Sequence, residues 1–155
     1  MHRHITGFEQ DEVGDWVAHL DCLHRQHVRH SPPFQERPWV LTAEGREAHV
    51  GGDLDCPLCD RAELPEGLEA VRTLHFDQDS LPPGLRRDHF VGPGVWARLR
   101  VSEGTVRFTM ATDPPLDRVI AAREAQAIPP GLLHAVEPTA LAVITVEFLR
   151  PPGGG

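Results

Sequence analysis

Short apolar segments separated by glycine and proline turns run the length of the chain, and they predict a mainly β protein. In the first part, residues 5–9 and 15–20 are strand candidates on either side of the turn-like Asp11-Glu12-Val13-Gly14, a hairpin that leads directly to Cys22. Ser31-Pro32-Pro33 breaks the pattern. Residues 39–42 form another short apolar segment, and Thr42-Ala43-Glu44 has the composition of a helix start, with Gly51-Gly52 as its stop. From Arg72 onward the pattern changes: segments 74–76, 95–101, 105–110, 118–121, 125–128 and 141–149 read as short strands between Gly/Pro turns, the spacing of a small antiparallel barrel or sandwich. Between the two regimes, RAELPEGLEA is polar, carries Pro65 and Gly67 and has little periodicity. The expected organisation is a domain over residues 1–61, a linker over 62–71, a second domain over 72–150 and a frayed tail over 151–155.

A chain of 155 residues has room for one ordinary domain or two small ones. With 40% hydrophobic and 25% charged residues it has the composition of a folded protein rather than a disordered one. No apolar run approaches the roughly 18 to 20 residues needed to cross a bilayer, and the N-terminal segment lacks the apolar stretch of a secretory signal. No membrane partner is expected. The formal charge of −8 argues against a nucleic-acid partner. Lysine, asparagine and tyrosine are absent and arginine supplies every non-histidine cation, which we read as GC-rich coding.

The cysteines narrow the picture most. All three lie in the first 60 residues, as Cys22-Leu23-His24 and Cys56-Pro57-Leu58-Cys59. An odd number cannot pair completely into disulfides, whereas three thiolates and one imidazole make a closed tetrahedral shell for Zn²⁺. Cys22, His24, Cys56 and Cys59 are therefore the expected ligands of a structural zinc, with a redox-active Cys56/Cys59 pair or plain buried thiols as alternatives. His24 stands two residues after Cys22, on the same face of an extended segment; His27 and His30 are rival fourth ligands. Free thiols and a metal suit a reducing cytoplasm better than disulfides would. No P-loop, His-Glu-x-x-His helix, Gly-x-Ser-x-Gly elbow or Rossmann glycine fingerprint occurs.

In the second part, Ile128-Pro129-Pro130-Gly131-Leu132-Leu133-His134 places a histidine just after a turn fixed by proline and glycine. This segment resembles the second cupin motif. With Leu81-Pro82, His89, Gly94-Val95-Trp96, Gly104, Phe108, Val136-Glu137-Pro138 and Val146-Glu147-Phe148, residues 72 to about 150 resemble the TehB/YeaR-like (DUF1971) cupin family. The resemblance implies a small antiparallel cupin-like β-barrel that binds a small molecule, a link by name to tellurite and other stress, and a homodimer formed through the cupin. His134 matches the cupin metal position; His89 and Glu147 are its candidate partners for a second divalent metal. Trp96 and Phe108 are expected in the core.

The first part resembles a bacterial family of unknown function, DUF3565. The resemblance rests on Gly7-Phe8, Gln10-Asp11, Trp16-Val17-Ala18, Cys22, His24, Gln26 to His30, Pro32-Pro33, Arg37-Pro38-Trp39-Val40, Gly45-Arg46, Leu54-Asp55-Cys56 and Cys59. It implies a small zinc-knuckle domain; because a unit of about sixty residues buries little core, Trp16 and Trp39 are expected to pack around the knuckles. Leu23 stands where that family has glycine, and a bulky residue suits φ > 0 poorly, so a looser first knuckle is expected.

Three functions follow as expectations. The first is a cytoplasmic metal-binding protein, associated with tellurite or nitrosative stress, in which a structural zinc module is fused to a small cupin that binds a small ligand or metal. The second is a metal-dependent cupin enzyme using His89 and His134. The third is a regulatory or protein-interaction module presenting Arg25, Arg29, Arg37 and Arg46.

Overall fold

The computed structural model describes residues 1–153, so the last two residues of the expected tail lie outside the described part. Strand β1 (His2–Gln10) and strand β2 (Trp16–Leu20) form the predicted hairpin, with Gln10 opposite Trp16 and Phe8 opposite Ala18. Asp11 closes its turn, one carboxylate oxygen accepting from the N–H groups of Val13 at 3.0 Å and Asp15 at 2.8 Å. Two three-residue strands, β3 (Arg25–His27) and β4 (Asp53–Asp55), complete a sheet of order β3-β2-β1-β4. The apolar segment near Trp39 is a 3₁₀ turn, Pro38–Leu41, with proline in its first position. Helix α1 (Ala43–His49) follows at once, capped by the Thr42 hydroxyl, which accepts from Gly45 N–H at 3.0 Å. The core here is small: Ile5, Val17, Ala18, Leu20, Val28 and Val40 are buried beside the three cysteines.

The chain divides into two units, Met1–Pro57 and Leu58–Gly155, and the division falls inside helix α2 (Pro57–Asp60). The second unit is built from β5 (Glu69–Asp77), β6 (Trp96–Met110), β7 (Leu116–Ala121), β8 (Ala125–Ile128) and β9 (His134–Arg150). They form one antiparallel sheet of order β5-β9-β6-β7, with β8 also pairing β6. The two predicted segments 95–101 and 105–110 are a single strand, and the predicted segment 141–149 is the end of a strand that begins at His134. Register shifts between Val101 and Glu103 and between Gly104 and Val106 bend this long pair, and the sheet curls into a half-barrel. Trp96 and Phe108 are fully buried, as expected of core residues.

Gly104 permits the bend. Its φ is +74°, and an added Cβ would lie 1.7 Å from the Leu141 carbonyl oxygen on β9. Gly104→Ala should therefore destabilise the second unit by about 3 kcal/mol or more, because backbone strain and a backbone clash act together. A denaturation midpoint equal to that of the wild type would refute this account of the crossing. Among the described residues no helix is long and apolar enough to cross a membrane.

Candidate functional site

Strand β2 ends at Leu20, and the chain turns immediately. Leu23 N–H donates to Leu20 O at 2.9 Å, and Leu20 N–H donates to His24 O at 3.0 Å, closing a short loop between β2 and β3. Cys22 and His24 are brought together by this turn, not by alternation along an extended segment, because Leu23 adopts φ +74°. The expected loosening of the knuckle does not occur: leucine takes the left-handed conformation that glycine would take freely. Leu23→Val, which adds branching at Cβ, should cost about 1 to 2 kcal/mol, while Leu23→Gly should be tolerated. Denaturant midpoints of the two variants test this pair.

The second knuckle starts where β4 ends. Cys56 N–H donates to the Met1 carbonyl at 2.7 Å, fixing the chain as it enters α2, and α2 carries Cys59 one turn further on. Cys22, His24, Cys56 and Cys59 are all buried, and one ligand atom from each lies within 4.8 Å of every other. The Cys22 and Cys56 sulfurs are 3.8 Å apart; His24 Nδ1 is 3.4 Å from the first and 3.3 Å from the second. A tetrahedral ion with metal–sulfur bonds of about 2.3 Å and a metal–nitrogen bond of about 2.0 Å requires edges of about 3.8 and 3.5 Å. The observed edges agree within a few tenths of an ångström. This group is therefore able to hold a metal ion.

The electrostatics point the same way. Burial by itself lowers the pKa of His24, but hydrogen bonds to Cys22 and Cys56, and their charges, outweigh it and raise the value to about 9. The sulfurs create a pocket that favours positive charge at its centre. A metal ion placed there takes the imidazole in its neutral form.

The other histidines of the first unit are engaged elsewhere. His27 Nε2 is 2.8 Å from Asp11, and His30 Nδ1 accepts from Arg37 N–H at 3.1 Å, so neither rival replaces His24 in the cluster. His4 lies between Asp21 and Asp53, and His19 pairs with Glu9, all at 3.2 Å. Asp11, Asp15 and His27 also form a small surface group, accounted for by the hairpin turn and its ion pair. Three of the arginines expected to present a cationic face are locally compensated: Arg25 pairs with Glu9, Arg29 with Asp15 at 3.3 Å, and Arg46 sits 3.6 Å over the Trp16 ring. Trp39 stacks on His49 at 3.8 Å and meets Phe8 edge-on, so both tryptophans engage side chains of or beside α1.

Inside the second unit lies a cavity of about 570 Å³, walled by Leu74, Phe76, Leu99, Ile128, Val146 and Phe148 among others. Sequence reasoning did not locate it, although alternation along β5 and β9 carried the signal. His89 and His134 both line it. They are joined by two backbone hydrogen bonds, 3.0 and 2.9 Å, and their rings lie 4.1 Å apart. His134 Nδ1 donates to Leu132 O at 2.9 Å and His89 Nδ1 to Arg87 O at 3.2 Å, which leaves each Nε2 with its lone pair. Burial pushes the His134 pKa down to about 4; the bond to Leu132 opposes this, while the charge of His89 adds to it and that of Asp88 opposes it.

Glu147 does not join them. Val146 and Phe148 face the cavity, so the residue between them points to the other side of the sheet, where its carboxylate receives Arg98 at 3.2 and 3.0 Å and Arg100 at 2.6 Å. The guanidinium bonds hold its pKa below the usual carboxylate range. The expected second metal set is thus reduced to two imidazoles.

Comparison with known proteins gives two matches, the first of which runs past Pro57 into the second unit. Residues 6–63 match DUF3565, a family of unknown function, and residues 72–146 match the TehB-like domain. No curated protein matches the chain. A crystal structure of a protein from E. coli (strain K12) aligns over 58% of this chain and 97% of its own, at 23% identity and a TM-score of 0.53, and supports the fold of the TehB-like part. TehB from Haemophilus influenzae aligns at 19% identity and a TM-score of 0.49 over 56% of this chain, which spans only 32% of that protein. Hydroxypropylphosphonic acid epoxidase from S. wedmorenis aligns at 14% identity and a TM-score of 0.40, over 54% of this chain and 51% of its own.

Proposed function

We propose that the protein is a cytoplasmic, stress-associated metal-binding protein, in which a structural zinc module is fused to a cupin-like barrel that holds a small ligand. The convergence of four buried ligands within 4.8 Å of one another, with near-tetrahedral edges among Cys22, His24 and Cys56, carries the reading. Three thiolates and an imidazole are a donor set that suits zinc. Four protein ligands close the shell and leave no open position for water or substrate, so the ion's role is to hold two knuckles together around a small core. The barrel contributes the ligand site: a mostly apolar cavity of a size usual for small molecules.

The experiment is metal analysis of the purified full chain and of two variants. One zinc per chain, lost in Cys22→Ser and retained in His134→Asn, is the expected result. Absence of zinc from the folded wild type would overturn the reading. A second equivalent lost in His134→Asn would instead favour the metal-dependent enzyme, for which the proximity of His89 and His134 is the supporting observation.

A further inference from the structure

The cavity has a direction. Along β5, Arg72, Leu74 and Phe76 alternate onto the cavity wall; along β9, Val146, Phe148 and Arg150 do the same. Each apolar row ends in an arginine, and Arg72 is paired in register with Phe148, two residues before Arg150. The two guanidiniums therefore belong to the same end of the strand pair. His134 begins β9, at the opposite end of that strand.

Charge sharpens this asymmetry. The chain has 23 acidic residues, yet none lines the cavity. Among the unit's arginines, Arg61, Arg86, Arg98, Arg100, Arg107 and Arg118 are matched with carboxylates, whereas Arg87 and Arg123 make no ion pair among the described residues and do not line the cavity. Arg72 and Arg150 are exposed and have no ion-pair partner among the described residues. Glu69 stands opposite Arg150 in register without making an ion pair to it, and an apolar wall that ends in two such arginines is complementary to a hydrocarbon body with an anionic head.

We propose that the barrel binds a small amphiphilic anion, its hydrocarbon part against Leu74, Phe76, Val146 and Phe148 and its head group between Arg72 and Arg150. This rests on the reading of the barrel as a ligand-binding unit and names the ligand class. Carboxylate, sulfate and phosphate heads share the required chemistry, since each accepts hydrogen bonds from a guanidinium fork.

Calorimetric titration of the full zinc-loaded chain with decanoate, decanol and decyltrimethylammonium tests it, with decyl sulfate and decyl phosphate as further arms to separate the head groups. Decanoate should bind about tenfold more tightly than decanol or the cation, and Arg72→Gln/Arg150→Gln should remove the preference while leaving decanol binding unchanged. Nuclear Overhauser contacts from decanoate methylenes to Phe148 should place the chain inside the barrel. Equal affinity for decanoate and decanol overturns the anionic class but leaves the cavity as a ligand site. Failure of every probe to bind, or contacts on the outer surface only, overturns both.

Discussion

Cys56→Ser is expected to abolish metal binding and unfold the first unit in the same step. Cys56 is buried and its sulfur lies within 3.8 Å of Cys22 Sγ and 3.3 Å of His24 Nδ1, so its loss opens one corner of the shell and leaves two sulfurs and an imidazole around a broken centre. The unit has little to offset that. Its buried apolar side chains are few and mostly small, two of its four strands have three residues each, and the helix between its two knuckles spans seven. Structural zinc contributes on the order of 10 kcal/mol of folding free energy in small modules, more than the net stability of a domain of this size. The variant should therefore contain only traces of zinc and lose amide-exchange protection along β1 and β2; a strong chelator should do the same to the wild type. A metal-free Cys56→Ser protein with native protection in the hairpin would show that the cysteines are merely buried thiols.

Acid should destabilise the second unit through His134. The side chain is 2% exposed and neutral in the folded state, with a pKa of about 4 against about 6.5 when unfolded. Between these values the unfolded chain takes up a proton that the folded chain refuses, so stability falls as the pH drops from about 6.5 toward 4 and is fully present above that window. The loss amounts to about 3 kcal/mol. His134→Asn retains a side-chain N–H able to reach the Leu132 carbonyl and cannot titrate, so its stability should decline less than that of the wild type across the window. Parallel pH profiles would contradict the burial argument.

The hairpin, the capped helix and the two short ligand pairs, Cys22 with His24 and Cys56 with Cys59, were legible because each depends on neighbours in sequence. A turn rich in aspartate and glycine lies between two short apolar runs, a threonine precedes a helical start, and Cys-x-His and Cys-x-x-Cys spacings suffice to draw ligands together. The means of convergence at the first knuckle was not legible, since nothing in the residue type of Leu23 announces φ +74°. The second unit was harder to read. Pro138 looks like a strand breaker, yet it is paired with Val106 at a register shift, where a missing N–H is tolerated. With β9 unbroken from His134 to Arg150, the odd separation of His134 and Glu147 puts them on opposite faces; with the strand broken at Pro138, that parity disappears from view. The cavity depends on the same continuity, because its wall is assembled from alternate residues of strands far apart in sequence.

X-ray absorption at the zinc edge of the purified full chain reads the coordination shell itself. Three sulfur ligands at about 2.3 Å and one nitrogen ligand at about 2.0 Å are expected, with no oxygen in the shell. A shell of two sulfurs and two nitrogens, or one completed by water, would contradict this donor set.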